Sequence, residues 1–329
     1  FQMSKSQFRI ESDSMGEMKV PKKALYAAQT ARAINNFPIS GLIFKRPFIE
    51  ALGVVKFSAA KVNERLKLLS PQVAKAIMRA SDEVIDGVHD SEFVVDIFQT
   101  GSGTSTNMNA NEVIATLANR FTKGKEKIHP NDHVNASQSS NDSFPTAMHI
   151  ASVIQIQKKL IPSIKGMISI LQKKTKEFKK IIKIGRTHMM DATPITLGQE
   201  FSGYVSQIDY GIETINNSLK HLAELAIGGT AVGTGLNAPK GYSKKAVSYI
   251  SKFTGIKFKE AQNKKLPSWV ADYDIDSWGQ FFLKYIISHD AVTNVIPATS
   301  KSKNMLDNTR AGMGKMIDAR AKRRMLEIF

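Results

Sequence analysis

The chain has 329 residues, of which 42 % are hydrophobic and 23 % charged, which predicts a folded protein of about two domains. Cysteine is absent, and this excludes disulfides, thiolate zinc sites, cysteine nucleophiles and cysteine-bound iron–sulfur clusters. The formal net charge of +17 comes without a nucleic-acid motif and without about 18 consecutive apolar residues, so we expect an anionic small molecule as partner rather than a nucleic acid or a membrane.

Helical periodicity dominates the first half of the chain. Apolar residues repeat at steps of four and three from Phe48 to Leu69, which predicts one long helix. Ser70 and Pro71 then form the cap and the first residue of a second helix. A third helix is predicted through NMNANEVIATLANRF, residues 107–121.

Helices are also predicted throughout the second half, with strands only near the N-terminus and around residues 294–297. The helical patterns run from Pro145 to Lys180 with a break at Pro162, from Thr193-Pro194 toward Ala226, and from Ser243 until Gly255. Long helices joined by short connections predict a mainly α bundle.

Three polar segments lie between the predicted helices. They are QTGSGTSTNMNANE (99–112), HPNDHVNASQSSNDSFPTAMHI (129–150) and GRTHMMDATPITLGQE (185–200). Each ends where a helix is predicted to begin, and the unpaired backbone N–H groups at a helix start favour anions. Hydroxyl and amide side chains add neutral donors, which suits a small carboxylate, although each segment alone is typical of an ordinary helix cap.

Other chemistry is poorly supported by these segments. The GSGT sequence at 101–104 lacks the GK[ST] ending of a phosphate-binding loop. His129 and His133 are four residues apart, but Pro130 interrupts a continuous helix and no further ligand is indicated, so we predict no metal site. His188 by itself is as typical of a structural histidine as of a proton-transferring one.

The three segments together resemble the conserved regions of class II fumarate hydratases, in the fumarase/aspartase superfamily. The N-terminal stretch FRIESDSMGEMKVPKKALYAAQTARAINNF and the later IGGTAVGTGLNAPKGY (227–242) also match, in register from Phe8 to Asn263. The GRTH sequence favours a fumarase, because aspartases usually carry glutamine where His188 stands. Aspartate ammonia-lyase is a minor alternative. The resemblance implies reversible hydration of fumarate to L-malate through an aci-carboxylate carbanion, without a metal or a cofactor.

Site residues follow from the resemblance position by position. Those implied to bind the substrate carboxylates are Ser102, Gly103, Thr104, Ser139, Ser140, Asn141 and Thr187. His188 is implied to handle the proton on the water side of the reaction. A secondary dicarboxylate site is implied at His129, Asn131 and Asp132, although Glu126 stands where many relatives place a basic residue.

The resemblance also implies a domain organisation and an assembly. An N-terminal α domain with short strands is expected over residues 1–140, followed by a partial central helix bundle over 141–263. In the family this bundle forms the core of a homotetramer, and each active site combines three subunits. The compartment expected is the cytoplasm or the mitochondrial matrix.

The last part of the chain departs from the fumarase pattern. The family's serine loop, of the form GSSxMPxKxNP, is not found in the 329 residues, so we expect impaired activity or a catalytically dead dicarboxylate-binding or subunit-association protein. Residues 264–329 instead include SWGQFFLKYIISH (277–289), predicted as an amphipathic helix, VTNVIPATSK (292–301), predicted as a strand and loop, and SKNMLDNTRAG (302–312), predicted as the next helix. They resemble the C-terminal end of an aldo-keto reductase, an orphan α/β segment. Its vestigial cofactor site would comprise Ser300, Lys301 and Lys303, and an NADP-dependent oxidoreductase fragment is a further minor alternative.

Overall fold

The computed structural model describes residues 7–123, 126–261, 266–295 and 302–327, which fall into two compact units. The first unit comprises residues up to 231 together with 237–261, and the second comprises 232–236 together with the residues from 262 onward. Within these described ranges, no helix has the length and the apolar character that crossing a bilayer requires.

The described part of the first unit contains eight α-helices and three two-stranded sheets. The helices are α1 (Ala28–Asn36), α2 (Arg46–Arg65), α3 (Pro71–Ile85), α4 (Thr104–Thr122), α5 (Ser140–Gln155), α6 (Ile161–Glu177), α7 (Leu197–Leu222) and α8 (Tyr242–Thr254). The strands are β1 (Phe8–Asp13), β2 (Gly16–Pro21), β3 (Ile182–Thr187), β4 (Met190–Thr196), β5 (Glu224–Leu225) and β6 (Lys259–Glu260). β1–β2 and β3–β4 are antiparallel pairs, and β5–β6 is parallel.

The core of this unit surrounds α2, which packs against α3, α4, α5 and α8. The predicted apolar stripe of α2 is buried as expected. The helix ends at Arg65 rather than at the predicted Leu69, because the chain turns between these two residues. Ser70 caps α3, with its Oγ accepting a hydrogen bond from Val73 N at 3.2 Å. Gly255 ends α8 with a left-handed φ of 71°, so both of these predicted helix boundaries are confirmed.

The starts of α4 and α5 lie side by side. Gly103 precedes α4 with φ of 70°, and a Cβ atom there would overlap the ring of Phe144 on α5. That ring packs in turn against Phe48, with 5.0 Å between ring centroids, so it has little freedom to move away. In the structure α5 begins five residues earlier than predicted, since Ser139 is its cap and Pro145 lies within the helix.

The expected helix start at Thr193-Pro194 is wrong. These residues lie in β4, which pairs with β3 in a hairpin from Ile182 to Thr196. Thr196 is the true cap of α7, forming reciprocal bonds with Gln199. The hairpin packs mainly against the start of α7.

The helices α6 and α7 pack on each other but leave most of their remaining surfaces exposed. Ile168 is buried on α6, and Gly198 and Leu219 are buried on α7. Large apolar side chains such as Ile170 and Tyr210 remain exposed, at 60 % and 72 %. Such surfaces are typical of helices that complete their packing against another chain.

The second unit has its own small core. Its helices are a 3₁₀ turn at Ser268–Tyr273, α9 (Trp278–Ile287), α10 (Ser302–Arg310) and α11 (Ala319–Leu326). The buried side chains at its centre are Val270, Ile275, Phe281, Ile317, Ala321 and Met325. The predicted amphipathic helix over residues 277–289 corresponds to α9. Residues 292–295 are irregular rather than a strand, and the rest of the expected strand lies outside the described residues.

Candidate active site

The first polar segment forms a tight turn into α4. The hydroxyls of Ser102 and Thr104 are exposed and lie 2.8 Å apart, while Gly103 is buried beneath them. Gln99 accepts a hydrogen bond from Thr106 N at 2.9 Å and thereby satisfies one of the unpaired N–H groups of this helix start. One of the two exposed hydroxyls donates to the other, so this helix start presents a linked hydroxyl pair at the surface.

The second polar segment is held by a capping box at the start of α5. Ser139 Oγ accepts from Asn141 N at 3.3 Å, and Ser139 N donates to Asp142 Oδ1 at 2.9 Å. The other carboxylate oxygen of Asp142 accepts from Gly228 N and Thr230 N at 2.9 and 2.8 Å. The buried Asp142 therefore ties the IGGT loop, residues 227–230, to this helix start and is unavailable to a ligand.

Burial raises the pKa of the Asp142 carboxyl, and the N–H donors of Ser139, Thr230 and Gly228 counteract that rise because they stabilise the ionised form. Asn141 is exposed and donates from Nδ2 to Ala231 O at 2.7 Å, which fixes the orientation of its amide. The start of α5 thus combines a rigid backbone with an oriented amide side chain.

Buried side chains join the starts of α4 and α5. Asn107 Nδ2 donates to Ser140 Oγ at 3.1 Å, which links α4 directly to α5. Lys56 of α2 donates from Nζ to Asn107 Oδ1, Asn135 Oδ1 and Gln138 Oε1 at 2.8, 3.1 and 2.9 Å. Burial lowers the pKa of Lys56 to about 7. Six of the predicted carboxylate-binding residues, 102–104 and 139–141, therefore lie on two adjoining helix starts with a buried cation beneath them.

The sequence motifs did not predict a role for Lys56. The signal available was a single lysine one helical turn after Leu52 on the apolar face of α2, where a charged residue requires partners. Those partners lie 51 to 82 residues further along the chain, so the sequence pattern alone could not name them.

The third polar segment is not brought into this group by contacts. Thr187 and His188 are exposed near the tip of the β3–β4 hairpin, where Thr187 pairs with Met190. His188 and Met189 form the two-residue loop with φ of 50° and 60°, the pattern of a type I′ turn. Across the described residues, the His188 ring makes no hydrogen bond or ion pair. A helix does begin toward the end of this segment, as expected, but α7 starts at Leu197, nine residues after His188, rather than at Thr193-Pro194.

The implied secondary site lies on a single wide helical turn, Pro130–Val134. His129, Asn131 and Asp132 are exposed, and His129 Nδ1 lies 3.1 Å from Asp132 Oδ2. Glu126 accepts a hydrogen bond from Ser70 Oγ at 3.2 Å. The carboxylates of Asp132 and Glu126 weaken the attraction of this turn for an anion.

The predicted vestigial cofactor site lies only partly within the described residues. Lys303 is exposed on α10, whereas Ser300 and Lys301 lie outside the described residues. In the part of the chain that the structure describes, no group of three or more histidine, aspartate and glutamate side chains could hold a metal ion.

A family model described as a lyase matches residues 16–267, more than half of the chain. The chain belongs to this lyase family. This assignment agrees with the fumarase/aspartase superfamily that the sequence motifs indicated.

Individual relatives of this lyase chain carry more specific names. It is 53 % identical over 264 residues to the mitochondrial fumarate hydratase of Saccharomyces cerevisiae, covering 79 % of this chain and 54 % of the relative. It is 54 % identical over 249 residues to the class II fumarate hydratase of Mycobacterium tuberculosis H37Rv, covering 76 % and 52 %. The chain therefore spans about half the length of these curated relatives.

Solved structures give the same family. A crystal structure of recombinant class II fumarase from Schistosoma mansoni superposes with a TM-score of 0.76 at 34 % identity, covering 98 % of this chain and 74 % of that one. A fumarate lyase:delta crystallin from Brucella melitensis bound to cobalt superposes with a TM-score of 0.74 at 32 % identity, covering 98 % and 75 %. All six of the residues on the α4 and α5 starts lie within the range that the family model matches.

Proposed function

We propose that this chain carries the carboxylate-binding part of a class II fumarase site and binds fumarate and L-malate. The observation that carries the proposal is the pairing of the α4 and α5 starts, where exposed hydroxyl, amide and backbone donors adjoin one another. Asp142, the carboxylate nearest to these donors in sequence, is buried and occupied by the IGGT loop. The relatives named fumarate hydratase support the identity of the ligand.

The chemistry proposed is hydration of the fumarate double bond. Addition of hydroxide beside one carboxylate places extra negative charge on the other, which becomes an aci-carboxylate. Fixed donors at Ser102, Thr104 and Asn141 would stabilise that charge more strongly than the ground state, and this difference lowers the barrier. His188 is proposed to handle the proton at the water side, with Thr187 as a further donor.

We propose that the hairpin reaches a site on another copy of the chain. Its exposure, together with the exposed apolar surfaces of α6 and α7, supports assembly through these helices into a homotetramer. Residues 1–140 and 141–263 would then act as the N-terminal domain and the partial bundle of each subunit.

Turnover by this chain is proposed to be impaired, because no GSSxMPxKxNP segment occurs in its 329 residues. The purified protein should bind fumarate or L-malate in calorimetry while consuming fumarate, followed by its ultraviolet absorbance, at least about 100-fold more slowly than an ordinary fumarase. Turnover near that of an ordinary fumarase would overturn the impairment, and absence of binding would overturn the site.

A matched pair of variants localises the binding. Asn141→Ala removes an exposed amide at the α5 start and should weaken dicarboxylate affinity about tenfold. Asn217→Ala removes an exposed amide from α7 and should leave the affinity unchanged. Equal affinities of the two variants would place the ligand elsewhere.

For the remaining segments we propose lesser roles. Residues 264–329 are proposed to be an aldo-keto-reductase-like appendage whose cofactor site, at Ser300, Lys301 and Lys303, is vestigial. Titration with NADPH, followed by its fluorescence, should show no saturable binding. The turn with His129, Asn131 and Asp132 is proposed as a weak secondary dicarboxylate site.

A further inference from the structure

A lysine that the proposed chemistry does not use lies directly beneath the paired helix starts. Lys56 has no exposed surface, and its ammonium group donates to three side-chain amide oxygens. Burying an ammonium group whose hydrogen-bond acceptors are all neutral is energetically unfavourable. Lys56 must therefore contribute something other than stability to the molecule.

The direction of the hydrogen bonds shows what Lys56 does to the site. An ammonium group can only donate, so Asn107 Oδ1 must accept at 2.8 Å. The amide is thereby oriented with Nδ2 toward Ser140 Oγ, to which it donates at 3.1 Å. Ser140 Oγ is used as an acceptor, and its own O–H proton is left free to donate to a bound carboxylate.

The same group places positive charge behind the site. The charged group that acts on Lys56 from a neighbouring helix is Asp142, which is buried on α5. Tyr242 of α8 is buried nearby, and burial raises its pKa well above 10, so it stays neutral at ordinary pH. A dianion at the α4 and α5 starts would therefore favour the charged form of Lys56 over the neutral amine.

We propose that Lys56 is a positioning residue for carboxylate binding: it fixes Asn107 so that Ser140 donates to the ligand, and its charge strengthens the anion site. This inference rests on the proposed function. It assigns to Lys56 an action through Asn107 and Ser140 rather than contact with substrate.

The first test compares Lys56→Met with Lys61→Met. Lys61 lies on the same helix but pairs with Glu64 at 2.7 Å. Fumarate affinity of the unmodified chain should be about tenfold tighter at pH 6 than at pH 8.5, because ligand binding and protonation of Lys56 are linked. The Lys61→Met chain should keep this dependence, and the Lys56→Met chain should lose it and bind about tenfold more weakly at pH 6. His188→Ala must retain the dependence, and its loss there would assign the titration to the imidazole and overturn the inference.

A second test does not depend on Lys56→Met remaining folded. Asn107→Asp keeps the acceptor for Lys56 but replaces the donor to Ser140 with another acceptor, so the Ser140 hydroxyl turns away from the ligand. The variant should unfold at the same or a higher temperature, because it adds an ion pair to Lys56, yet bind fumarate about tenfold more weakly.

A double-variant cycle separates bond direction from simple charge repulsion. Ser140→Ala should weaken binding several-fold in the unmodified chain and less than twofold in the Asn107→Asp chain. Equal effects in both backgrounds overturn the role of Asn107. If the unmodified chain binds no dicarboxylate at any pH, the proposed function and this inference both fall. If it binds, and Lys56→Met binds as tightly with the same pH dependence, the inference alone falls.

Discussion

The two helix starts and the β3–β4 hairpin differ in how their functional groups are supported. At the helix starts, Ser140 and Asn141 are held by bonds to Asn107 and Ala231, and a buried lysine lies beneath them. At the hairpin, Thr187 and His188 are exposed on a two-residue loop. Six of the seven residues proposed to bind carboxylate thus lie on the two helix starts of one chain, whereas Thr187 and His188 lie exposed on the hairpin. The proposed ligand binding and the proposed proton transfer should therefore respond separately to substitution in the two regions.

The largest expected effect tests how tightly the helix starts are packed. Gly103→Ala requires a side chain at φ of 70° and overlaps Phe144, whose ring is held by Phe48. We expect a loss of about 3 kcal/mol in unfolding free energy, measured by urea titration. Gly101→Ala is the control, since nothing lies within 4 Å of its added methyl group. Similar losses for the two variants would show that the α4–α5 packing is looser than described.

A second prediction concerns the pH dependence of stability. The folded-state pKa of Lys56 is lowered to about 7 from 10.5, so the folded chain loses its proton before the unfolded chain does. The penalty for burying the charge is therefore complete below pH 7 and is relieved as pH rises toward 10.5. From pH 7 to 9 this one group should raise the unfolding free energy by about 2 kcal/mol relative to Lys56→Met. Parallel curves for the two proteins, by urea titration at each pH, would contradict the assignment.

The link between α5 and the IGGT loop gives a comparable expected loss. Asp142→Asn replaces one carboxylate oxygen with an amide NH2 group. This donor then faces other donors, either Gly228 N and Thr230 N or Ser139 N. The unfolding free energy should fall by about 2 kcal/mol. Asp132→Asn, at a carboxylate that is 76 % exposed, should change it by less than about 0.5 kcal/mol. Thermal unfolding of the two variants side by side would reveal whether the loop contact contributes.

The smallest expected effect sharpens the description of the hairpin. Met189 has φ of 60° and a side chain that is 96 % exposed, so Met189→Gly relieves strain without removing contacts. Its local opening free energy should rise by about 0.5–1 kcal/mol, seen as slower proteolytic cleavage between β3 and β4. Met190→Gly, within β4, should accelerate cleavage instead. Faster cleavage of Met189→Gly would show that the two-residue turn is not maintained.

The sequence predicted the helices whose boundary residues act locally. Ser70-Pro71 and Gly255 work through their own backbone geometry, and both boundaries are where they were expected. Thr193-Pro194 has the composition of a helix start, yet it lies in β4, where Pro194 pairs with Ile184 of β3. In a single sequence, the pattern that indicates a short two-stranded pairing is weaker than the pattern that indicates a helix.

The surface residues of the candidate site were predicted from the sequence, but the buried residues that support them were not. Hydroxyl and amide residues at helix starts have a recognisable pattern, and the superfamily resemblance named them individually. The bonds from Lys56 to Asn107 and Gln138 join residues that are 51 and 82 positions apart. Such pairings depend on how α2 packs against α4 and α5, which no local pattern specifies.

The bonds from the IGGT loop to Asp142 also have a consequence for synthesis and folding. Gly228 and Thr230 reach back 86 and 88 residues to the start of α5. A ribosome-bound chain that ends before this loop would contain the residues of α4 and α5 but would leave one oxygen of Asp142 without its two backbone donors. The proposed carboxylate site should therefore become complete late in synthesis, once this distant loop has left the ribosomal tunnel.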